Sequence, residues 1–148
     1  MFRSIVVGTD GSETAGKAVR EAIELAKSVG ASLDIVSAYE PVSSQRLREE
    51  ARQAPQDLQW TITPREDVEA TLAEAAENAA AAGLGEVETY AREGDPADAI
   101  LDVAEERGAD LIVVGNKGMT GAKRFLLGSV PNKVSHHAPC SVLIIRTT

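Results

Sequence analysis

Apolar positions along this chain follow two rhythms, short runs of branched aliphatics and longer alanine-rich stretches with helical spacing. The first run, Phe2 to Val7, ends in Gly8-Thr9-Asp10-Gly11-Ser12, after which Ala15, Ala18, Val19, Ala22, Ile23, Ala26 and Val29 fall on one helical face. Strand, loop and helix are predicted in that order. Ser12 is placed to cap the helix, Glu13 complements its positive end, and Gly30 stops it. Leu33 to Ala38 supplies a second strand and completes a β-α-β unit, whose parallel crossover is right-handed in about 98% of cases.

From Glu40 to Thr63 the pattern degrades into a connection with Pro41, Pro55, Trp60 and a charged stretch, Arg46 to Arg52, read as a solvated segment. Thr63-Pro64-Arg65-Glu66 then combines a capping box with proline at the first helical position, and Val68, Leu72, Ala75, Ala76 and Ala79 form the buried stripe of that helix. Gly83 or Gly85 ends it, and Val87 to Ala91 is a weaker third strand. Asp95-Pro96 repeats the cap-then-proline signal before Ala97, Ile100, Leu101 and Ala104, with Gly108 closing the helix ahead of strand Leu111 to Val114. A short helix near Pro131 to His137 and a last strand, Ser141 to Arg146, complete the pattern. Five strands alternating with four helices predict an α/β fold, a mostly parallel sheet covered on both faces. Such sheets bind ligands beyond the carboxyl ends of their strands, so the loops Thr9 to Ser12 and Asn116 to Ser129 are the places to look.

Composition narrows the class. At 148 residues the chain fits a single domain over 1–148 and can bury roughly 68–70% of its unfolded surface without staples. Aromatic residues are 3% of the chain, so the core is expected to be aliphatic. No apolar run approaches about 18 residues and the N-terminus carries a strand pattern, which predicts a cytoplasmic protein without a membrane partner. Cys140 is the only cysteine, which excludes an internal disulfide and a multi-cysteine zinc site; beside the strand Val142 to Ile145 it reads as a small buried hydrophobe. Adjacent His136 and His137 point in different directions on a helix and complement its negative end better than they hold a metal. Ser12 has no partner histidine placed to activate it, and helix capping accounts for it.

Charge sharpens the picture. All 23 acidic residues lie at or before Asp110, whereas Lys117, Lys123, Arg124, Lys133 and Arg146 follow it unopposed, so the net charge of −8 conceals a basic C-terminal stretch. An acidic chain of this kind repels nucleic acid at long range yet can hold a small anion locally. That stretch contains Gly115-Asn-Lys-Gly118, nine further residues, then Gly128-Ser129. Glycines let backbone amides approach an anion, and a helix that follows aims its N–H groups and dipole at the same point. A phosphate is the expected guest. Neither G-x-x-x-x-G-K-[ST] nor G-x-G-x-x-G is present, so a P-loop NTPase and a Rossmann dehydrogenase are disfavoured.

The spacing Gly115, Gly118, Gly128, Ser129, the opening strand into Gly8-Thr9-Asp10-Gly11-Ser12, and the closing Cys140-Ser141-Val142-Leu143-Ile144-Ile145 resemble the universal stress protein family over nearly the whole chain. The resemblance implies a three-layer, Rossmann-like sheet of order 3-2-1-4-5, a homodimer formed through the last strand, and an adenine nucleotide, ATP or a relative, with Mg²⁺ as its possible companion. It assigns ribose and phosphates to Gly115, Gly118, Gly128, Ser129 and Val130, the nucleotide or metal to Asp10 with Thr9 beside it, and the adenine edge to the backbone of Ala38. Where many ATP-binding relatives have serine or threonine two residues after Ser129, this chain has Pro131, so a hydroxyl and an amide donor are missing. Proline suits the first helical position, so a helix starting at Pro131 is predicted, with the Gly128 to Val130 amides facing the crevice and AMP or cyclic AMP competing with ATP. The resemblance thus points to a nucleotide-binding protein of stress response or signalling. Two alternatives stand beside it: a slow Mg²⁺-dependent ATPase using Asp10 with Lys117 or Arg124, and a dimeric interaction module with a vestigial pocket.

Overall fold

The computed structural model describes residues 1–39, 65–116 and 127–147. Among them the elements run β1 (Ser4–Gly8), α1 (Glu13–Val29), β2 (Ser32–Tyr39), α2 (Arg65–Ala81), β3 (Val87–Glu93), α3 (Pro96–Arg107), β4 (Leu111–Gly115), α4 (Ser129–His137) and β5 (Ser141–Ile145). The five strands form one sheet of order β3-β2-β1-β4-β5, and every pairing is parallel. This is the Rossmann-like α/β arrangement expected from the resemblance.

Strand alternation divides the core. Ile5, Val7, Leu33, Ile35 and Val113 face α1 and α2, where they meet Val19, Ile23, Val68 and Leu72. Val6, Val36, Ile112 and Val114 face α3 and α4 and meet Ile100, Val103 and Val134. The central strands are therefore apolar on both faces, as a covered parallel sheet requires. β3 and β5 occupy the edges and are half-buried or exposed along most of their length.

The caps read from the sequence for α1 and α3 are formed. Ser12 Oγ accepts a hydrogen bond from Ala15 N–H at 3.1 Å, and Gly30 ends α1 in the left-handed region at φ 71°. Asp95 Oδ2 accepts from Asp98 N–H at 3.0 Å, Pro96 opens α3, and Gly108 closes it at φ 63°. Thr63, Pro64, Trp60 and the 46–52 stretch lie outside the described residues; α2 is described from Arg65 onward.

Most strand ends differ from expectation by one or two residues, and three boundaries have a plain physical reason. β1 begins at Ser4 rather than Phe2, because the ladder starts at the Ser4 and Ser32 pair, while the Arg3 and Ser4 amides donate to the Asp110 carboxylate at 2.9 and 3.1 Å. Phe2 still packs against the core, so its apolar character marks burial and not strand pairing. β3 runs on to Glu93, two residues past Ala91, paired with Tyr39 of β2. α4 begins at Ser129, not Pro131. A proline in the first turn forfeits no intrahelical bond, and the carbonyl four residues before it belongs to Leu127, outside the helix, so neither usual objection to proline applies. The Asn132 N–H bond to Gly128 O at 3.1 Å and burial of Pro131 and Val134 outweigh the mild helical disfavour at Val130.

Candidate functional site

β1 and β4 lie side by side at the centre of the sheet, where the strand order reverses direction. Loops leaving the carboxyl ends of two such strands diverge to opposite faces and leave a crevice between them. A crevice of about 120 Å³ occupies that point. Gly8, Thr9 and Asp10 border it from β1, Val114 and Gly115 from β4, Val36, Ser37 and Ala38 from β2, and Pro96, Ile100, Val130 and Pro131 from α3 and α4.

Local hydrogen bonds hold the β1 side. Thr9 N–H donates to Val36 O at 2.9 Å, which fastens the loop to β2. Thr9 Oγ1 accepts from Gly11 N–H at 3.1 Å and Asp10 Oδ1 from Ser12 N–H at 2.9 Å, so both side chains organise the turn into α1. Gly11 sits at φ +83°, a conformation that other residues rarely adopt, with Thr71 of α2 directly over it. Asp10 is exposed at the mouth, and one carboxylate oxygen remains beyond the turn bond for a ligand or cation.

The opposite wall is the start of α4. Gly128 is its N-cap at φ −63° and ψ 167°, and no side chain caps the helix. Gly128 N–H donates to Asn116 O at 2.9 Å, so that amide is committed to the backbone and does not face the crevice, contrary to the sequence expectation. Helix geometry leaves the first amides without intrahelical partners; Pro131 has none, and those of Ser129 and Val130 remain. Together with the helix dipole they make a compact anion-attracting point. Lys133, one turn further on, is engaged elsewhere. Its Nζ lies 2.9 Å from Asp98 Oδ1 and 3.3 Å from Asp95 Oδ2, and the Asp98 hydrogen bond first, then Asp95, raises its pKa. That contact ties α4 to the first turn of α3.

Of the residues singled out from sequence, Thr9, Asp10, Ala38, Gly115 and Val130 converge on the crevice. Gly128 and Ser129, at the helix start, are not among its lining residues. Gly118, Lys117 and Arg124 lie outside the described residues. Val36, Ser37, Pro96 and Ile100 were not foreseen as walls. In the sequence Pro96 signals only a helix opening and Ile100 only core. A usable signal was Gly8: a Cβ there would run into the Ile100 side chain, so glycine at the end of β1 is what lets α3 close over the crevice.

The sequence profile of the universal stress protein family matches residues 1–146. Universal stress protein Rv1636 of Mycobacterium tuberculosis is 40% identical over 149 aligned positions, covering 99% of this chain and 98% of the relative. Among solved structures, a universal stress protein in complex with cAMP superposes with a TM-score of 0.75 at 37% identity, covering 99% of each chain. The universal stress protein of Archaeoglobus fulgidus in complex with dAMP superposes with a TM-score of 0.68 at 27% identity, covering 97% of this chain and 98% of that one. With the strand order, the crevice at its reversal point and a match over nearly its whole length, the chain belongs to the universal stress protein family.

Proposed function

We propose that the crevice binds an adenine nucleotide and that occupancy is the signal this protein contributes to stress adaptation. The observation that carries the reading is the convergence of Thr9, Asp10, Ala38, Gly115 and Val130 on one crevice at the switch point of the sheet. The aliphatic wall of Val36, Ala38, Pro96 and Ile100 suits a flat base, whose polar edge would meet the backbone of Ala38. The amides of Ser129 and Val130 would take a phosphate oxygen, with Gly115, Gly118 and Gly128 allowing close approach and Asp10 meeting ribose or a Mg²⁺ ion.

The described donor set favours one phosphate over three. Gly128 N–H is occupied, Pro131 offers no N–H, and Lys133 is held by two carboxylates. On the described donors alone AMP or cyclic AMP fits better than ATP, and the family structures in complex with cAMP and dAMP support a monophosphate reading. A homodimer through the last strand belongs to the same reading: β5 is an outer strand, and Leu143 on it is 39% exposed. No described helix is long and apolar enough to cross a membrane, and the net charge of −8 disfavours nucleic acid, in keeping with a cytoplasmic nucleotide binder.

Titration calorimetry of nucleotide-stripped protein with cyclic AMP, AMP and ATP plus Mg²⁺ tests this. Saturable binding of a monophosphate, lost in a folded Gly115→Ala variant, is expected. Silence with all three ligands in the wild type overturns the reading and moves the function to protein partners.

A further inference from the structure

Asn116 follows the last crevice-lining residue of β4 and is bonded in three directions. Its N–H donates to Ile145 O at 2.9 Å, extending the β4–β5 ladder by one step. Its carbonyl accepts Gly128 N–H at 2.9 Å and so holds the N-cap of α4. Its side-chain Oδ1 accepts from Thr147 twice, from N–H at 2.8 Å and from Oγ1 at 2.9 Å. One residue thus joins the floor of the crevice, the start of the anion-facing helix and the segment that leaves the edge strand.

We infer that Asn116 is a positioning residue that couples occupancy of the crevice to the C-terminal segment beyond β5. The inference rests on the nucleotide reading above, since the ligand is what would move the helix start. An anion drawing on the Ser129 and Val130 amides pulls at the turn whose cap, Gly128, is fastened to the Asn116 carbonyl. That carbonyl and Oδ1 are carried by one Cα whose amide is pinned in the ladder, so a pull on the carbonyl that turns the residue about its N–Cα bond swings the acceptor of both Thr147 bonds with it. β5 is an edge strand, so the coupling ends at a surface able to meet another chain. Coupling of this kind is reciprocal: if a ligand secures Thr147, loosening Thr147 weakens the ligand by the same factor.

The experiment follows amide exchange at Thr147 by NMR on the full chain, with and without saturating cyclic AMP, beside calorimetry of the same samples. Cyclic AMP is expected to slow Thr147 exchange in the wild type. Asn116→Ala keeps both backbone bonds but loses Oδ1, and is expected to speed that exchange and weaken cyclic AMP about fivefold or more while the circular dichroism stays native. Asn116→Asp retains an acceptor oxygen and is expected to restore Thr147 protection. Thr147→Pro, outside the crevice, removes both donors and is expected to weaken cyclic AMP to a similar degree. If cyclic AMP binds but Thr147 exchange does not respond, or Thr147→Pro binds as tightly as wild type, Asn116 merely fastens the chain end and the inference falls while the nucleotide reading stands. Failure of the wild type to bind cyclic AMP, AMP or ATP overturns both.

Discussion

Arg107 Nε stands 3.5 Å from Asp34 Oδ2, an ion pair whose two members live in different solvents: Asp34 is 1% exposed, whereas the Arg107 side chain is 47% exposed. Asp34 Oδ2 makes no hydrogen bond, so its charge is offset by a partner that water also screens. Burial raises the Asp34 pKa above the ordinary carboxylate value and Arg107 draws it part of the way back; Glu88 and Tyr90 of β3 face the same carboxyl, the first raising and the second lowering it. A carboxyl whose folded pKa is raised takes up a proton on folding between the unfolded and folded values. Its contribution is most favourable below the unfolded value and is lost as pH rises through the folded one. Urea titrations across pH 4 to 7 are therefore expected to show a component of stability that falls with rising pH, with a limiting slope of about 1.4 kcal/mol per pH unit for one proton. Asp34→Asn should flatten it, and Arg107→Ala, which raises only the folded pKa, should extend it to higher pH.

Asp95 behaves oppositely. The Asp98 amide, helped by Lys133, lowers its pKa below the ordinary value, so the stability it supplies is present above the unfolded pKa and disappears as pH falls through the folded one. Asp95→Asn keeps an N-cap acceptor and removes the charge. It is expected to cost under about 1 kcal/mol at pH 7, with the Lys133 contact weakened, and to abolish this acid-limb loss. Measured beside Asp34→Asn, the two variants should change the pH profile in opposite senses; a change of the same sign in both would contradict the assignment.

What could be read beforehand was whatever is written locally. Ser12 and Gly30, Asp95-Pro96 and Gly108 mark helix ends through their own side-chain or backbone chemistry, and all four marks are found in the structure. The strand order came from resemblance and not from the pattern, because alternation says which face is buried but not which strand is the neighbour. Asp34 was invisible as a buried charge, since a carboxylate inside the run Leu33 to Ala38 offers no local hint that Arg107, far along the chain, will lie over it. The crevice walls were missed for the same reason: Val36 and Ile100 are ordinary core residues until packing brings β2 and α3 together. The Gly128 amide was misplaced because its partner, the Asn116 carbonyl, is a backbone atom with no signature in sequence.

The approach of α3 to β1 makes its own prediction. Gly8 has no room for a Cβ against Ile100, so Gly8→Ala is expected to destabilise the fold by about 1–3 kcal/mol through overpacking and to crowd the crevice. Ile100→Val in the same chain should recover part of that loss, more than the sum of the two single changes allows, because it removes the terminal carbon nearest the added methyl. Thermal melts of the four proteins in the cycle check this. Strict additivity would mean that α3 shifts as a body and that Gly8 does not set its distance.

Pro131 offers the sharpest test of ligand choice. It is buried, lines the crevice and occupies the third position of α4, where an ordinary residue would present an N–H with no intrahelical partner. Pro131→Ser adds that donor and a hydroxyl beside the Ser129 and Val130 amides. Hydrogen bonds to a charged group contribute about 1.5–3 kcal/mol each, so one new bond to an outer phosphate is expected to raise ATP affinity about tenfold. Cyclic AMP has no outer phosphate to receive it and should change little. Loss of proline's restriction on the unfolded chain is expected to cost about 0.4–1 kcal/mol of stability, small enough to leave the variant folded. Parallel calorimetry with ATP plus Mg²⁺ and cyclic AMP decides the matter. A selective gain for ATP would mean that the missing donor at Pro131 sets the preference; equal gains would place the added group on the phosphate that both ligands share, and no gain for either would remove Pro131 from the account of specificity.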